Sequence, residues 1–170
     1  MAWAAVYGIF STYQGTGSIR SSRGFTLVEL LVALIVASLL LAVAVPGYNQ
    51  YTQRARVAAA MGDISKMSLA VEQFRLRNDD RIPASLDELG IDIPLDPWGR
   101  SYVFLNIPAA GGPKSAAVRK DGKLHPLNTD FDLYSVGKDG ASNAALTSKS
   151  SHDDIIRANN GAYVGLGEDY

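Results

Sequence analysis

Phe25 to Val45 reads FTLVELLVALIVASLLLAVAV, and 18 of these 21 residues are apolar. As a helix rising about 1.5 Å per residue, the run is roughly 32 Å long, enough to cross a hydrocarbon core of about 30 Å. It is apolar on every face, so a soluble domain would have to enclose it completely, and the 125 residues that follow are too few. The spacing therefore predicts one membrane-spanning segment over residues 25–45. Charge is distributed to match. Arg20, Arg23 and Glu29 are the only charges in residues 1–45, while the other 30 make up 24% of the remainder, an ordinary value for a soluble domain. With 16 basic against 17 acidic residues, the chain lacks the basic excess of a general nucleic-acid binder. The absence of cysteine excludes disulfides, thiol catalysis and cysteine-based zinc sites.

Glu29 is the one charge inside the apolar run. A carboxylate held at mid-bilayer costs about 2.5–3.5 kcal/mol, so it needs either a partner or access to the headgroups. Near the start of the helix it also gains from the helix dipole. Arg20 and Arg23 precede the run, but no small-residue cleavage site clearly follows it, as a secretory signal would require. Gly24 instead stands immediately before it. Arg54 and Arg56 beyond the far end leave the orientation unsettled by positive charge alone.

Arg23-Gly24-Phe25-Thr26-Leu27-Val28-Glu29-Leu30 resembles the cleavage and methylation signal of type IV pilins and type II secretion pseudopilins. The resemblance implies a leader peptide at 1–24, longer than is typical of that family. A prepilin peptidase would cut between Gly24 and Phe25 and methylate the new Phe25 amine. It further implies that Glu29 pairs with the terminal amine of a neighbouring subunit during assembly, which supplies the partner that the buried carboxylate needs.

Beyond the span, Pro46 has no N–H for the Ala42 carbonyl and predicts a kink or local melting. Residues 46–78 then turn amphipathic. Val57, Met61, Ile64, Met67, Val71 and Phe74 step by three or four, with Arg54, Arg56, Lys66, Arg75 and Arg77 among the rest. That stripe suits a face covered by the chain's own sheet. Asn78-Asp79-Asp80 ends the helix, and Ser85-Leu86-Asp87-Glu88 reads as a capping box opening a short turn closed by Gly90. Strands are expected at Ser101–Leu105, at Ala116–Lys120 with Lys123–His125 across an Asp121-Gly122 turn, and at Phe131–Val136. Residues 79–170 thus form a small head on the long helix, an α+β arrangement. Such a head has little core to spare and needs a staple.

Asp96-Pro97-Trp98-Gly99 followed by Ser101-Tyr102 is a turn that would pack Trp98 on the helix, with sugar binding as a rival role. It is similar to the DPWG stretch of the general secretion pathway G family, the major pseudopilins. The one cluster with metal-binding chemistry is acidic: Asp132 to Gly140, then Ser151-His-Asp153-Asp154-Ile155. Calcium takes six to eight oxygens, and these residues offer them if the two segments meet; solvated acidic turns are the alternative. The G-family resemblance implies a structural calcium held by the Val136 carbonyl, Asp139, Ser151, Asp153 and Asp154. The interval from Asp139 to Ser151 is longer than in the family, and residues 106–130 and the tail from Ile156 also depart from it.

His125 and His152 are not spaced as a metal-ligand pair, and no phosphate loop or nucleophile motif occurs, so an enzyme is not expected. The resemblance instead implies a type IV pilin-like fold: a long N-terminal helix, membrane-spanning in its first half, on a small antiparallel sheet with a calcium-binding loop. It implies a major pseudopilin of the inner membrane with a periplasmic head, polymerising with itself to drive export of folded proteins. Its partners would be minor pseudopilins, prepilin peptidase, the inner-membrane assembly platform and membrane lipid, and no nucleic acid. The alternatives are a pilin or minor pilin of an adhesion or motility filament, and a bitopic calcium-binding protein that never polymerises.

Overall fold

The computed structural model describes residues 24–122 and 125–170. The expected leader lies outside the described residues except for Gly24, and Lys123 and Leu124 of the expected hairpin also lie outside them. Two compact units divide at Val43 and Ala44.

Helix α1 runs Leu27–Arg77. Its apolar first part carries exposed side chains throughout residues 27–43 and is long and apolar enough to cross a membrane. The helical assignment continues through Pro46, so the expected melting does not occur. Proline removes one hydrogen bond from one turn, and the turns before and after it carry the helix across.

In the second unit α1 buries Ala60, Ile64, Met67, Val71 and Phe74, a stripe stepping by four and three. Val57 and Met61, expected in that stripe, are only partly buried. The small Ala60 side chain takes the innermost place between them. The helix closes on two left-handed residues, Asp79 (φ 52°) and Asp80 (φ 63°). Asp80 returns its N–H to the Arg75 carbonyl at 3.0 Å, and its carboxylate accepts from Arg75 Nη2 at 2.6 Å. Asn78 Nδ2 donates to the Phe74 carbonyl at 2.7 Å, occupying another carbonyl at the helix end.

Residues Leu86–Leu89 form a 3-10 turn that ends at Gly90, whose φ of 65° is left-handed. The expected capping box is not made there. Ser85 caps nothing with its side chain, and Glu88 instead accepts from Arg81 Nη1 at 2.9 Å. A single 3-10 turn is too short to present the N–H geometry that a capping box requires.

The sheet has four antiparallel strands in the order β1 (Val103–Asn106), β2 (Phe131–Ser135), β3 (Ile155–Ala158) and β4 (Tyr163–Leu166). β1 and β2 fall where strands are predicted. β3 and β4 are not foreseen from the sequence, yet they are half the sheet. The predicted hairpin arm Ala116–Lys120 is largely turn, with one parallel bridge from Lys120 to Ala145. The Arg119 N–H that a ladder would use is taken by Asp132 Oδ2 at 2.9 Å.

Both sheet faces are covered. Phe131, Leu133 and Ile155 meet the α1 stripe with Leu86, Leu89 and Tyr102. On the other face Ile156 and Ala158 pack with Leu127 and Leu146, flanked by Tyr134, Tyr163 and Tyr170. All four residues of β3 are buried as a result. The Asp96 turn is built from its own carboxylate, which accepts from the Trp98 N–H (3.0 Å), the Arg100 N–H (2.8 Å) and Ser135 Oγ (2.6 Å). Trp98 packs against the core cluster that holds the α1 stripe, as the sequence predicts.

Candidate functional site

The start of α1 is organised by a reciprocal pair of side chains. The Thr26 N–H and the Thr26 hydroxyl both donate to Glu29 Oε2 at 2.8 Å, and the Glu29 N–H donates to Thr26 Oγ1 at 3.2 Å. This is a capping box: each side chain satisfies an N–H left without a partner by the helix start. Both carboxylate bonds fall on Oε2, so the other oxygen keeps its acceptor capacity. Phe25 is 82% exposed just ahead of the box. Gly24 is exposed, and among the described residues a Cβ there would meet nothing within 4 Å.

The acidic segments do meet. Asp153 Oδ2 accepts the Asp139 N–H at 2.8 Å, and Asp139 Oδ1 accepts the Ala141 N–H at 2.8 Å. Gly137 makes the close approach possible. Its φ is +66°, and an ideal Cβ would stand 2.6 Å from the Asp153 carbonyl carbon and 2.8 Å from its Cγ. Arg100 secures the turn by donating to the Gly137 carbonyl at 2.6 Å. Val136, half-buried, precedes this turn.

Ser151 and Asp154 are fully buried and bonded elsewhere. The Ser151 hydroxyl accepts the Asn143 N–H and donates to the Asn143 carbonyl, both at 2.9 Å. Asp154 Oδ2 accepts from Arg119 Nη2 and from the Ser142 hydroxyl, each at 2.6 Å. Asp154 Oδ1 is buried without a partner. Burial pushes this carboxyl above its usual range, against the opposing pull of Ser142 and Arg119. Among the described residues, no three His, Asp or Glu side chains gather around a single point. Asp139 and Asp153 form one group, and Asp154 with its arginine another.

The donors are nevertheless of the type calcium takes: carboxylate, hydroxyl and carbonyl oxygens, with no nitrogen or sulfur ligand. The unpartnered buried Asp154 Oδ1 is the strongest structural argument for a cation, because such an atom is costly to leave unbonded.

Two arginines escape sequence reasoning. Arg157 reaches from β3 to Asp130 with two bonds (Nη1 at 2.9 Å and Nη2 at 2.7 Å), and Nη1 also donates to the Phe131 carbonyl at 3.0 Å. Arg119 stacks at 4.1 Å over the Tyr134 ring while holding Asp154. Their only sequence signal is a charge set among short apolar residues, which does not distinguish a buried arginine from a surface one.

Known proteins accord with this arrangement. The family described as Prokaryotic N-terminal methylation motif matches residues 19–45. The chain is 28% identical to type II secretion system core protein G of Pseudomonas aeruginosa, over 71% of this chain and 87% of that protein. It is 25% identical to type II secretion system core protein G of Escherichia coli (strain K12), over 68% of this chain and 91% of that protein. A type IV major pilin, PilE1 of Neisseria gonorrhoeae, is 31% identical over 59% of this chain but only 45% of its own length. No solved structure matches. The expected resemblance to the G-type pseudopilins is thus found over most of the chain, and likeness to pilins covers less of the relative. The apolar helix and these relatives fit a membrane-anchored, pilus-like protein.

Proposed function

We propose that this chain is a major pseudopilin, anchored in the inner membrane with its head in the periplasm, that polymerises into a type II secretion filament driving export of folded proteins. One observation carries the reading: likeness to core protein G runs through head and helix alike, over 87–91% of two relatives. The chemistry is mechanical rather than catalytic. In the membrane the apolar run of α1 satisfies its backbone internally and meets lipid or the same run of another copy. Cleavage between Gly24 and Phe25 by a prepilin peptidase would leave 146 residues and a new amine on Phe25, to be methylated.

Glu29 gives that amine a counterion. In one subunit its carboxylate is held toward the helix start by Thr26, oriented before a neighbour arrives. A neighbour's amine then meets a fixed acceptor in surroundings of low dielectric, where an ion pair sets subunit register strongly. Minor pseudopilins and an inner-membrane assembly platform complete the proposed partners.

Calcium belongs to the proposal as a structural ion. Oxygens of Val136, Asp139, Ser151 and Asp153, with Oδ1 of Asp154, would hold it. When bound it supplies positive charge between the two acidic segments, and its binding energy becomes folding energy.

Mass spectrometry of filaments sheared from cells is the direct test. The expected subunit begins at Phe25 with a methylated amine; filaments built of chains still carrying the Gly24–Phe25 bond would overturn the reading. Glu29→Ala is expected to leave a processed, membrane-resident subunit whose filament yield falls at least about tenfold, the scale of losing one buried charge partner. Immunoblots of the sheared and membrane fractions read this out, and unchanged filament yield removes the register role.

A further inference from the structure

The two internal segments that depart from the G-family resemblance, 106–130 and the long interval from Asp139 to Ser151, each send one side chain to the buried Asp154 carboxylate. Arg119 comes from the first and Ser142 from the second. Arg119 Nη2 donates to Asp154 Oδ2 at 2.6 Å, Arg119 Nη1 donates to Ser142 Oγ at 2.8 Å, and Ser142 Oγ donates to Asp154 Oδ2 at 2.6 Å. The arginine and the aspartate are buried, Arg119 1% exposed and Asp154 0%, while Ser142 closes the triangle from an exposed position.

Arg119 is also fixed from its other sides. Its N–H is bonded to the buried Asp132 carboxylate, which Asn128 Nδ2 holds in turn at 2.8 Å, and its guanidinium lies over the Tyr134 ring. A surface arginine drawn to a nearby acid would not be anchored through backbone, ring and two side chains together. An ionised carboxylate at full burial needs a countercharge and hydrogen bonds. Arg119 supplies the charge and one bond to Oδ2, while among the described residues Asp154 Oδ1 and Arg119 Nε have no partner.

We propose that Arg119 is the resident countercation of the acidic loop, keeping the 151–154 arm docked without a metal, so that calcium adds to this head rather than creating its fold. The inference concerns the loop to which calcium is assigned above and rests on that reading only for the calcium comparison. Arg119 commits Asp154 Oδ2, so the calcium assigned above would use Asp154 Oδ1 beside the oxygens of Val136, Asp139, Ser151 and Asp153.

Thermal unfolding of the detergent-solubilised full chain, in chelator and in millimolar calcium chloride, tests this with wild type, Arg119→Gln and the double variant Arg119→Gln/Asp154→Asn. Wild type is expected to unfold cooperatively in chelator. Arg119→Gln in chelator is expected to melt about 10 °C lower or to lose its transition, the scale of stranding one buried charge in a small domain. The double variant no longer buries an unpaired carboxylate and is expected to recover at least half of that loss. Loss of cooperative unfolding by wild type in chelator overturns the proposal. So does an Arg119→Gln chain that melts like wild type, or a double variant that recovers nothing. The calcium reading fails on a different result, the absence of any calcium-dependent shift in wild type and in Arg119→Gln alike, which leaves the chelator comparisons standing.

Discussion

Arg157→Ala is expected to cost the head about 3–5 kcal/mol, enough to unfold much of it at physiological temperature. Arg157 is 2% exposed, and its guanidinium lies 3.8 Å from the Phe131 ring centre. Truncation removes both guanidinium bonds from the Asp130 carboxylate, which keeps the Phe131 N–H, and takes from the Phe131 carbonyl its donor from this side chain. It also empties the volume beside Phe131, a residue at the centre of the core under α1. The penalty is large because it combines an uncompensated carboxylate with a cavity. Arg157→Lys keeps the charge but not the planar fork and should lose a smaller part of the total. Urea denaturation followed by far-UV circular dichroism measures both. A midpoint for Arg157→Ala within experimental error of wild type would show that the pair contributes nothing net.

What the sequence made legible follows the range of the interactions. The α1 stripe could be read because helix periodicity is local and repeats over several turns. Val57 and Met61 of that stripe pack partly buried against the core, and Ala60 beside them is fully buried. β1 and β2 were legible from alternating, aromatic-rich runs between turns. β3 was not, because Ile155 faces α1 while Ile156 faces the opposite cluster, and a strand buried on both sides loses its alternation. Its start also lies beside Asp153-Asp154, which draws attention to metal chemistry rather than to a strand.

The candidate sites divide in the same way. Gly24, Phe25 and Glu29 lie within six residues, inside the span 19–45 that matches the N-terminal methylation motif. The same segment holds the Thr26-Leu-Val-Glu29 capping box, a local helix-start pattern. In the head, Asp139 and Asp153 belong to two acidic segments whose meeting the sequence leaves open, and the Asp139 N–H donates to Asp153 Oδ2. The partner of Asp154 lies 35 residues earlier in a segment without periodicity, so nothing in the order of residues announces Arg119. A buried charge pair at such separation is a property of the fold and becomes visible only with it.

Gly137→Ala should be the most damaging single methyl in the acidic loop. At φ +66° any residue with a Cβ is strained by about 1–2 kcal/mol. Here the added carbon also overlaps the Asp153 carbonyl oxygen and stands 2.6 Å from its carbonyl carbon. Backbone cannot swing aside as a side chain can, so relief requires the 136–140 turn to part from the 151–154 arm. That separation removes the bond from the Asp139 N–H to Asp153 and the hold of Arg100 on the Gly137 carbonyl. Overpacking of this kind adds about 1–3 kcal/mol to the backbone strain. Gly140→Ala is the internal control: it too has a positive φ, but the nearest atoms to its added Cβ belong to the guanidinium of Arg100, a side chain that can shift at the cost of its bond to the Gly137 carbonyl where backbone cannot. The expected order of melting temperatures in the detergent-solubilised chain is wild type, then Gly140→Ala, then Gly137→Ala, with the last lowered by roughly 10 °C or more. Equal losses at the two glycines would mean that φ alone sets the cost. The close apposition of the two acidic segments would then not be what Gly137 provides.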